Sequence, residues 1–203
     1  MPRHDIADIT GVIPSMITPF DRDGTLNDTR LRAVTRSLVA RGVDGLYLTG
    51  STGEGFLMSP EERRQVVASV TEEVAGKIPV IVHIGAISVY HSVALAQHAQ
   101  ACGADAISSV PPIYWPFTPE QVFGYYRDIT ASTDLPMIAY NISLAGAMGF
   151  DLIQRLATIK GVRGVKYTAP THFEIMRMKA EIGQDFIVYS GADEMAMSGL
   201  AFG

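Results

Sequence analysis

The sequence is poor in charge and in cysteine. Charged residues make up 18 % of the 203 residues and hydrophobic residues 47 %, against a usual charged share of roughly 25 %, and this composition excludes intrinsic disorder. The net charge of −5 argues against a nucleic-acid partner, because a phosphate backbone is held by clustered Lys and Arg. The one cysteine, Cys102, forms no internal disulfide and fits a reducing compartment, where packing at a helix end is its simplest role.

Long apolar runs are also lacking. No segment approaches the ~18 residues that a membrane helix needs, and the first ten residues, MPRHDIADIT, lack the apolar core of a signal peptide. We therefore expect a cytoplasmic protein with no membrane partner. His91 and His98 share one predicted helix without a third ligand, so we expect no metal site.

Short β-branched runs alternate with stretches of helical periodicity, which is typical of βα units around a parallel sheet. Seven predicted strands begin near Gly11, Asp44, Pro79, Asp105, Pro136, Arg163 and Phe186. Capping boxes at Ser59 and Thr118, each followed by proline, predict the starts of two helices. The pattern predicts an α/β fold, a (β/α)8 TIM barrel truncated after the seventh βα unit. An open doubly wound sheet is the alternative.

The end of the chain supports the prediction of truncation. ARGVDGLYL (40 to 48) and ACGADAISS (101 to 109) share a pattern in which a helix ends on glycine and a strand follows an aspartate. A predicted seventh helix ends at Gly203, so by this pattern an eighth strand should follow, and we expect the native chain to be longer. No linker or composition shift divides the sequence, which predicts a single, incomplete TIM-barrel domain over residues 1–203.

Lys166 lies in the predicted strand GVRGVKYT. Burial disfavours the charged form of an amine and lowers its pKa, which makes the amine a usable nucleophile for carbonyl compounds. The alternative is that Lys166 reaches solvent from the end of a short strand. The other three lysines, at positions 77, 160 and 179, are predicted to be solvated surface charges.

Two further polar segments follow predicted strands. In GSTGEG (50 to 55), glycines and hydroxyls turn backbone N–H groups toward one spot, which favours a carboxylate or phosphate, although a polar turn without a ligand fits equally. Tyr140 ends the strand PMIAY, where a phenol either relays protons or packs its ring. His83 either faces the same pocket or is a satisfied core histidine. A buried amine, an anion-binding turn and a phenol together indicate Schiff-base chemistry on a 2-keto acid.

These segments resemble the dihydrodipicolinate synthase and N-acetylneuraminate lyase superfamily of class I aldolases. GSTGEG, YNI (140 to 142) and GVKYT (164 to 168) are similar to its three signatures, and the resemblance runs from GVIPSMITPFDRDG to GADEMAMSGLAFG in the family's order. PPIYWPFTPEQVFGYYR is similar to the sialic acid lyase branch. The resemblance implies a homotetrameric aldolase without a cofactor that uses a covalent lysine Schiff base to release pyruvate from a sugar-derived 2-keto acid such as N-acetylneuraminate.

The resemblance also implies roles for individual residues. Lys166 matches the Schiff-base lysine and Tyr140 the proton-shuttling tyrosine, while Tyr114 matches a tyrosine that many members lend across a dimer interface. Ser51 and Thr52 match the pair that binds the pyruvate carboxylate. The residues that match contacts to a polyhydroxylated substrate chain are Thr168, Gly191, Asp193 and Glu194. Asp193 and Glu194 have a simpler alternative role, in which they only cap the seventh helix.

The chain departs from the family pattern in places. Ser143 follows YNI where proline is common, and NISLAGAMG lacks the arginine of the synthase branch. The alternatives are therefore a synthase-like enzyme using another aldehyde, a keto-deoxy sugar acid aldolase, and a non-catalytic keto-acid-binding barrel. A phosphate-binding isomerase is disfavoured, since barrel phosphate sites usually follow strands seven and eight.

Overall fold

A computed structural model describes residues 2–203, which contain one six-stranded parallel sheet flanked by helices. The strands are β1 (Leu46–Leu48), β2 (Val80–His83), β3 (Ala106–Ser109), β4 (Met137–Ile142), β5 (Val162–Thr168) and β6 (Ile187–Ser190). The helices are α1 (Asp28–Ala40), α2 (Pro60–Val74), α3 (Val89–Ala101), α4 (Pro119–Thr130), α5 (Phe150–Leu156), α6 (Phe173–Glu181) and α7 (Ala196–Phe202). None of the helices in the described range is long and apolar enough to cross a membrane.

The strand order decides between the two predicted architectures. Each strand pairs in parallel with the next one in the chain, from β1 through β6. A doubly wound sheet reverses its strand order at a switch point, and this sheet contains no reversal. The fold is therefore the predicted TIM barrel in incomplete form, a curled half-barrel with helices outside, and the doubly wound alternative is wrong.

The prediction of a strand beginning near Gly11 is wrong. The segment lies beside β1 but makes only one isolated parallel bridge, between Ser15 and Tyr47. In that bridge the Tyr47 N–H donates to the Pro14 carbonyl and the Met16 N–H donates to the Tyr47 carbonyl. The next bridge toward the N-terminus would need an N–H from Pro14, and proline has none. The sheet therefore has six strands where seven were predicted.

Local signals mark the helix boundaries as predicted. Ser59 and Thr118 both form complete capping boxes with proline in the first helical turn. Cys102 is the C-cap residue that follows the end of α3 at Ala101, and Gly103 comes next with a φ of +81°. The conformation at Gly103 is left-handed, which glycine adopts without the steric cost of a Cβ atom.

Alternating strand residues divide the core into two layers. Leu46, Val82 and Val165 pack against the helices, whereas the opposite faces of the strands point into the barrel. The inner layer is smaller and contains the following buried residues: Ile6, Ile9, Tyr47, Ile81, Ala106, Val110, Ile138 and Tyr140. The inner layer includes two tyrosines, Tyr47 and Tyr140. Polar residues on the inner faces of the neighbouring strands lie beside these two rings.

Candidate active site

Lys166 lies on the inner face of β5, within the strand and not at its end. In the sheet register it is paired with Tyr140 of β4 on one side and Tyr189 of β6 on the other. The ammonium nitrogen lies 4.1 Å from the centroid of the Tyr47 ring and 4.4 Å from that of Tyr140. It donates a hydrogen bond of 3.2 Å to the Ser15 hydroxyl. Lys166 is therefore partly buried, with its amine lying against two aromatic rings on the inner face of the sheet.

This enclosure changes the acidity of the amine. Desolvation lowers the pKa of Lys166 from its ordinary value near 10.5 to about 8, although the charge of Asp193 opposes the shift. At pH 7 roughly one amine in ten is then unprotonated, compared with about one in 3,000 at the ordinary value. In about a tenth of the molecules the Lys166 amine is thus unprotonated and able to attack a carbonyl carbon.

Tyr140 has a buried side chain, 4 % exposed, in the inner layer. Its ring makes edge-on contacts with the rings of Tyr47 and His83 at centroid distances of 6.1 and 6.0 Å. Within residues 2–203 its hydroxyl makes no hydrogen bond to protein. The ring is packed while the phenol remains available to a ligand beside Lys166.

The turn at residues 50–55 follows β1 and contacts the same aromatic enclosure. Gly50 is pressed against Tyr47, since a Cβ atom there would lie 2.6 Å from Cε1 of that ring. Ser51 and Thr52 are exposed. In the described part of the chain, the backbone N–H groups of Ser51, Thr52 and Gly53 have no protein acceptor. Consecutive free N–H groups favour a small anion.

The residues after β5 and β6 lie on the other side of Lys166. A Cβ atom at Gly191 would lie 2.0 Å from the Thr168 hydroxyl and 3.1 Å from Cε of Lys166, so glycine allows the backbone to approach both side chains. The Thr168 hydroxyl is buried and has no hydrogen-bond partner in residues 2–203. A buried polar group without a partner is costly unless a ligand satisfies it.

Asp193 and Glu194 are exposed in a single 3₁₀ turn, Asp193–Met195, just before α7. The residue at the N-cap of α7 is Met195, and no side chain caps that helix by a hydrogen bond. The capping alternative is therefore not realised as a hydrogen bond. The charge of Asp193 is close enough to Lys166 to act on the pKa of its amine.

Tyr114 is separated from this group. It is 79 % exposed on the loop after β3, has a φ of +87°, and stacks edge-on against Trp115. Trp115 lines a groove of about 510 Å³ between the loops that follow β3 and β4, and neither Lys166 nor Tyr140 contributes to that groove. Across residues 2–203, no group of three or more His, Cys, Asp or Glu residues is arranged to hold a metal ion.

Sequence reasoning missed two residues of the site, Ser15 and Tyr47. Strand alternation in LYL is the signal for Tyr47, because it places this ring opposite two outward leucines. No local signal exists for Ser15, which meets Lys166 across 151 positions of sequence.

The dihydrodipicolinate synthetase family matches residues 8–203. An N-acetylneuraminate lyase of Citrobacter koseri is 41 % identical over 199 residues, which are 97 % of this chain and 67 % of the relative. The structure of N-acetylneuraminate lyase from Mycoplasma synoviae is similar with a TM-score of 0.90 and 34 % identity, covering 96 % of this chain and 66 % of that one. CdNal from Clostridium difficile, in complex with mannosamine, has a TM-score of 0.93 and 33 % identity over 97 % and 68 % of the two chains. The chain thus spans about two thirds of the length of these relatives.

Proposed function

The chain belongs to the dihydrodipicolinate synthetase family, and from that premise we propose that it acts as a class I aldolase with Lys166 as its Schiff-base residue. The reaction is the cleavage or formation of a carbon–carbon bond to pyruvate. The proposed substrate is N-acetylneuraminate, which is cleaved to N-acetylmannosamine and pyruvate. The relatives named N-acetylneuraminate lyase support this choice.

The observation that carries the proposal is the enclosure of the Lys166 amine between Tyr47 and Tyr140. Desolvation lowers its pKa to about 8 although the charge of Asp193 opposes the shift, and a nucleophilic amine near neutral pH is what condensation with a ketone requires. Stability alone does not account for a lysine at this position, since burial penalises its charge.

The chemistry follows from an amine and a phenol side by side. The unprotonated amine of Lys166 attacks the ketone carbon, and loss of water leaves an iminium. The substrate carries a hydroxyl on the second carbon from the iminium carbon. When this hydroxyl loses its proton, the bond between its carbon and the next carbon toward the iminium breaks, and the electron pair of that bond converts the iminium into an enamine. The aldehyde leaves, the enamine takes a proton at carbon, and water hydrolyses the resulting iminium to pyruvate and free lysine. We assign the proton transfers to the Tyr140 hydroxyl.

The remaining proposed contacts lie on either side of Lys166. The free N–H groups and hydroxyls of Ser51 and Thr52 bind the carboxylate of the keto acid. Thr168 and the backbone at Gly191, with Asp193 and Glu194, receive the hydroxyls of the sugar chain. The buried Thr168 hydroxyl without a protein partner supports this assignment, because a substrate hydroxyl would satisfy it. No cofactor or metal takes part in these steps.

Trapping with borohydride tests the Schiff base directly. Incubation with pyruvate and borohydride should reduce the iminium to a stable secondary amine on Lys166, located by mass spectrometry of peptides. Lys166→Ala should abolish the adduct, while Lys160→Ala, which removes an exposed lysine, should leave it unchanged. Trapping that survives in Lys166→Ala would refute the assignment, and a complete lack of trapping in the wild type would favour a non-catalytic keto-acid-binding barrel.

Substrate preference tests the sugar assignment separately. We expect kcat/KM for N-acetylneuraminate to exceed that for a short 4-hydroxy-2-keto acid, and Asp193→Ala to lower only the former. A wild-type preference for the short acid that Asp193→Ala does not alter would reject the sialic acid lyase assignment. It would favour a synthase-like enzyme or a keto-deoxy sugar acid aldolase and leave the Schiff-base chemistry standing.

Tyr114 has a separate proposed role at an interface between two copies of the chain. Its exposed ring and the neighbouring exposed Trp115 support such a contact, because large exposed aromatic groups are typical of interfaces. The predicted homotetramer is tested by light scattering after size-exclusion chromatography. Tyr114→Ala should shift the distribution toward smaller species, and an unchanged distribution would contradict the role.

A further inference from the structure

His83, at the end of β2, is the most deeply buried titratable side chain beside the proposed site. It is 1 % exposed and lies in the inner layer, with its ring 6.0 Å from that of Tyr140 and 6.4 Å from that of Tyr47. The proposed reaction uses neither of its ring nitrogens. Both nitrogens nevertheless contact backbone groups, one in the segment that leads to Ser51 and Thr52 and the other in the segment that leads to Tyr114.

The hydrogen bonds define which ring nitrogen carries the proton. The backbone N–H of Val110 donates to Nε2 of His83 at 3.3 Å, so Nε2 must present its lone pair. Nδ1 lies 3.1 Å from the Thr49 carbonyl oxygen, which only accepts. The ring is therefore the neutral tautomer with the proton on Nδ1, and that proton is donated to Thr49.

Thr49 has an unfavourable backbone conformation that this contact holds in place. Its φ is +54°, and a β-branched residue in the left-handed region is strained. The Thr49 hydroxyl in turn donates to the His83 carbonyl at 2.7 Å, so the two residues are joined by reciprocal hydrogen bonds. Thr49 immediately precedes the turn at residues 50–55, and its carbonyl is also packed against Gly55.

Arg63 of α2 fixes His83 from the other side. Its guanidinium donates to the His83 carbonyl at 2.7 Å and to the Gly85 carbonyl at 2.8 Å. Burial, the charge of Arg63 and the charge of Lys166 keep the pKa of His83 well below its ordinary value, although the bond to Thr49 opposes this. The ring therefore stays a one-donor, one-acceptor group at neutral pH.

We propose that His83 is a positioning residue that aligns the carboxylate-binding turn with the loop after β3. It does so by donating to the strained Thr49, which leads into Ser51 and Thr52, and by accepting from Val110, which leads into the loop that bears Tyr114. His83 contacts no reacting atom. The inference rests on the proposed function in one respect only, namely that the turn binds the carboxylate of the keto acid.

Three substitutions separate the two hydrogen bonds from simple packing. His83→Asn places an amide N–H where Nδ1 donates to Thr49, while His83→Gln places an amide oxygen where Nε2 accepts from Val110. His83→Phe keeps a planar ring and removes both bonds. Ile81→Ala is the matched control, since Ile81 lies on the same strand and the same inner face and is 2 % exposed.

The readout is the pyruvate concentration that gives half-maximal borohydride trapping, measured with the saturated trapping rate and the melting temperature. We expect His83→Phe and His83→Gln to raise this concentration about 10-fold, because both variants lose the buried hydrogen bond to Thr49. His83→Asn should stay within about 3-fold of the wild type, and the saturated rates should change by less than about 3-fold. Ile81→Ala should lower the melting temperature without raising the half-maximal concentration.

Several results would overturn the positioning role. His83→Phe could bind pyruvate as the wild type does, His83→Asn could behave as His83→Phe does, or Ile81→Ala could raise the half-maximal concentration as much as His83→Phe. Nitrogen-15 NMR of the wild-type imidazole gives an independent test that does not depend on a variant that folds, because a proton on Nε2 contradicts the proposal and one on Nδ1 supports it. Failure of wild-type trapping would instead refute the proposed function and leave the NMR result interpretable by itself.

Discussion

The Lys166→Met variant should be more stable than the wild type at neutral pH although it cannot form a Schiff base. Methionine has a similar length and carries no charge, so it occupies the space between Tyr47 and Tyr140 without the cost of desolvating an ammonium group. The difference in stability between Lys166→Met and the wild type depends on pH. A change in packing gives a difference that does not depend on pH, so the two causes can be separated.

The magnitude follows from the pKa of Lys166, which falls from its ordinary value near 10.5 in the unfolded chain to about 8 in the folded protein. Below pH 8 both states carry the charge, and the folded state bears the full cost of roughly 3 kcal/mol. Between pH 8 and 10.5 the folded amine loses its proton while the unfolded amine keeps it. The wild type therefore regains stability as pH rises, and at pH 10 the cost is below about 1 kcal/mol.

The expected result is a difference in the free energy of unfolding that shrinks with pH. Attraction between the ammonium and the two rings offsets part of the cost at neutral pH, so we expect Lys166→Met to exceed the wild type by about 1–3 kcal/mol at pH 7. That excess should fall by roughly 2 kcal/mol between pH 7 and pH 10.

Urea denaturation followed by circular dichroism at pH 7, 8.5 and 10 measures the difference for each variant. Lys160→Met is the control, because it removes an exposed lysine and its difference from the wild type should not vary across this range. Lost ring contacts would shift the Lys166→Met curve by a constant amount and leave its slope unchanged. A difference in the free energy of unfolding between Lys166→Met and the wild type that does not change with pH would refute the claim that desolvation lowers the pKa of this amine.

Four further substitutions, one of them a control, test the site and its supports. Tyr140→Phe should lower turnover by roughly 10² to 10⁴ if the phenol carries protons, with pyruvate trapping slowed but not abolished; an unchanged rate would leave it a packing residue. Thr168→Val removes a buried hydroxyl without a protein partner, so the stability of the protein should hold or rise. The same change should lower kcat/KM about 10-fold for N-acetylneuraminate and not for a short keto acid. Equal losses on both substrates would contradict a contact between Thr168 and the sugar chain. Gly55→Ala puts a Cβ atom 1.9 Å from the Thr49 carbonyl and should lower the free energy of unfolding by about 1–3 kcal/mol. Gly124→Ala, in α4, has no atom within 4 Å of the new Cβ and should raise the free energy of unfolding by roughly 0.5–1 kcal/mol. Calorimetry of the two variants checks that the two changes have opposite signs.

The sequence by itself was sufficient for features that depend on near neighbours. Both capping boxes are complete within four residues, so Ser59 and Thr118 were correctly predicted as helix starts. Apolar runs located all six strands of the sheet, because burial on both faces leaves a local pattern. The placement of Lys166 within such a run was enough to predict an amine with a lowered pKa.

Tertiary structure decided the features that depend on which strands become neighbours. Barrel and doubly wound sheets have the same local pattern, and only the order β1 through β6 separates them. The segment near Gly11 lies beside β1 but pairs with it only in the bridge between Ser15 and Tyr47, so its extent of pairing was also decided by its neighbour. The contacts of Lys166 with Ser15 and Tyr47, and of His83 with Thr49 and Val110, join residues that are distant in sequence. Their identity follows from the curvature and register of the sheet, which arise from the packing of the whole chain and not from any one segment of it.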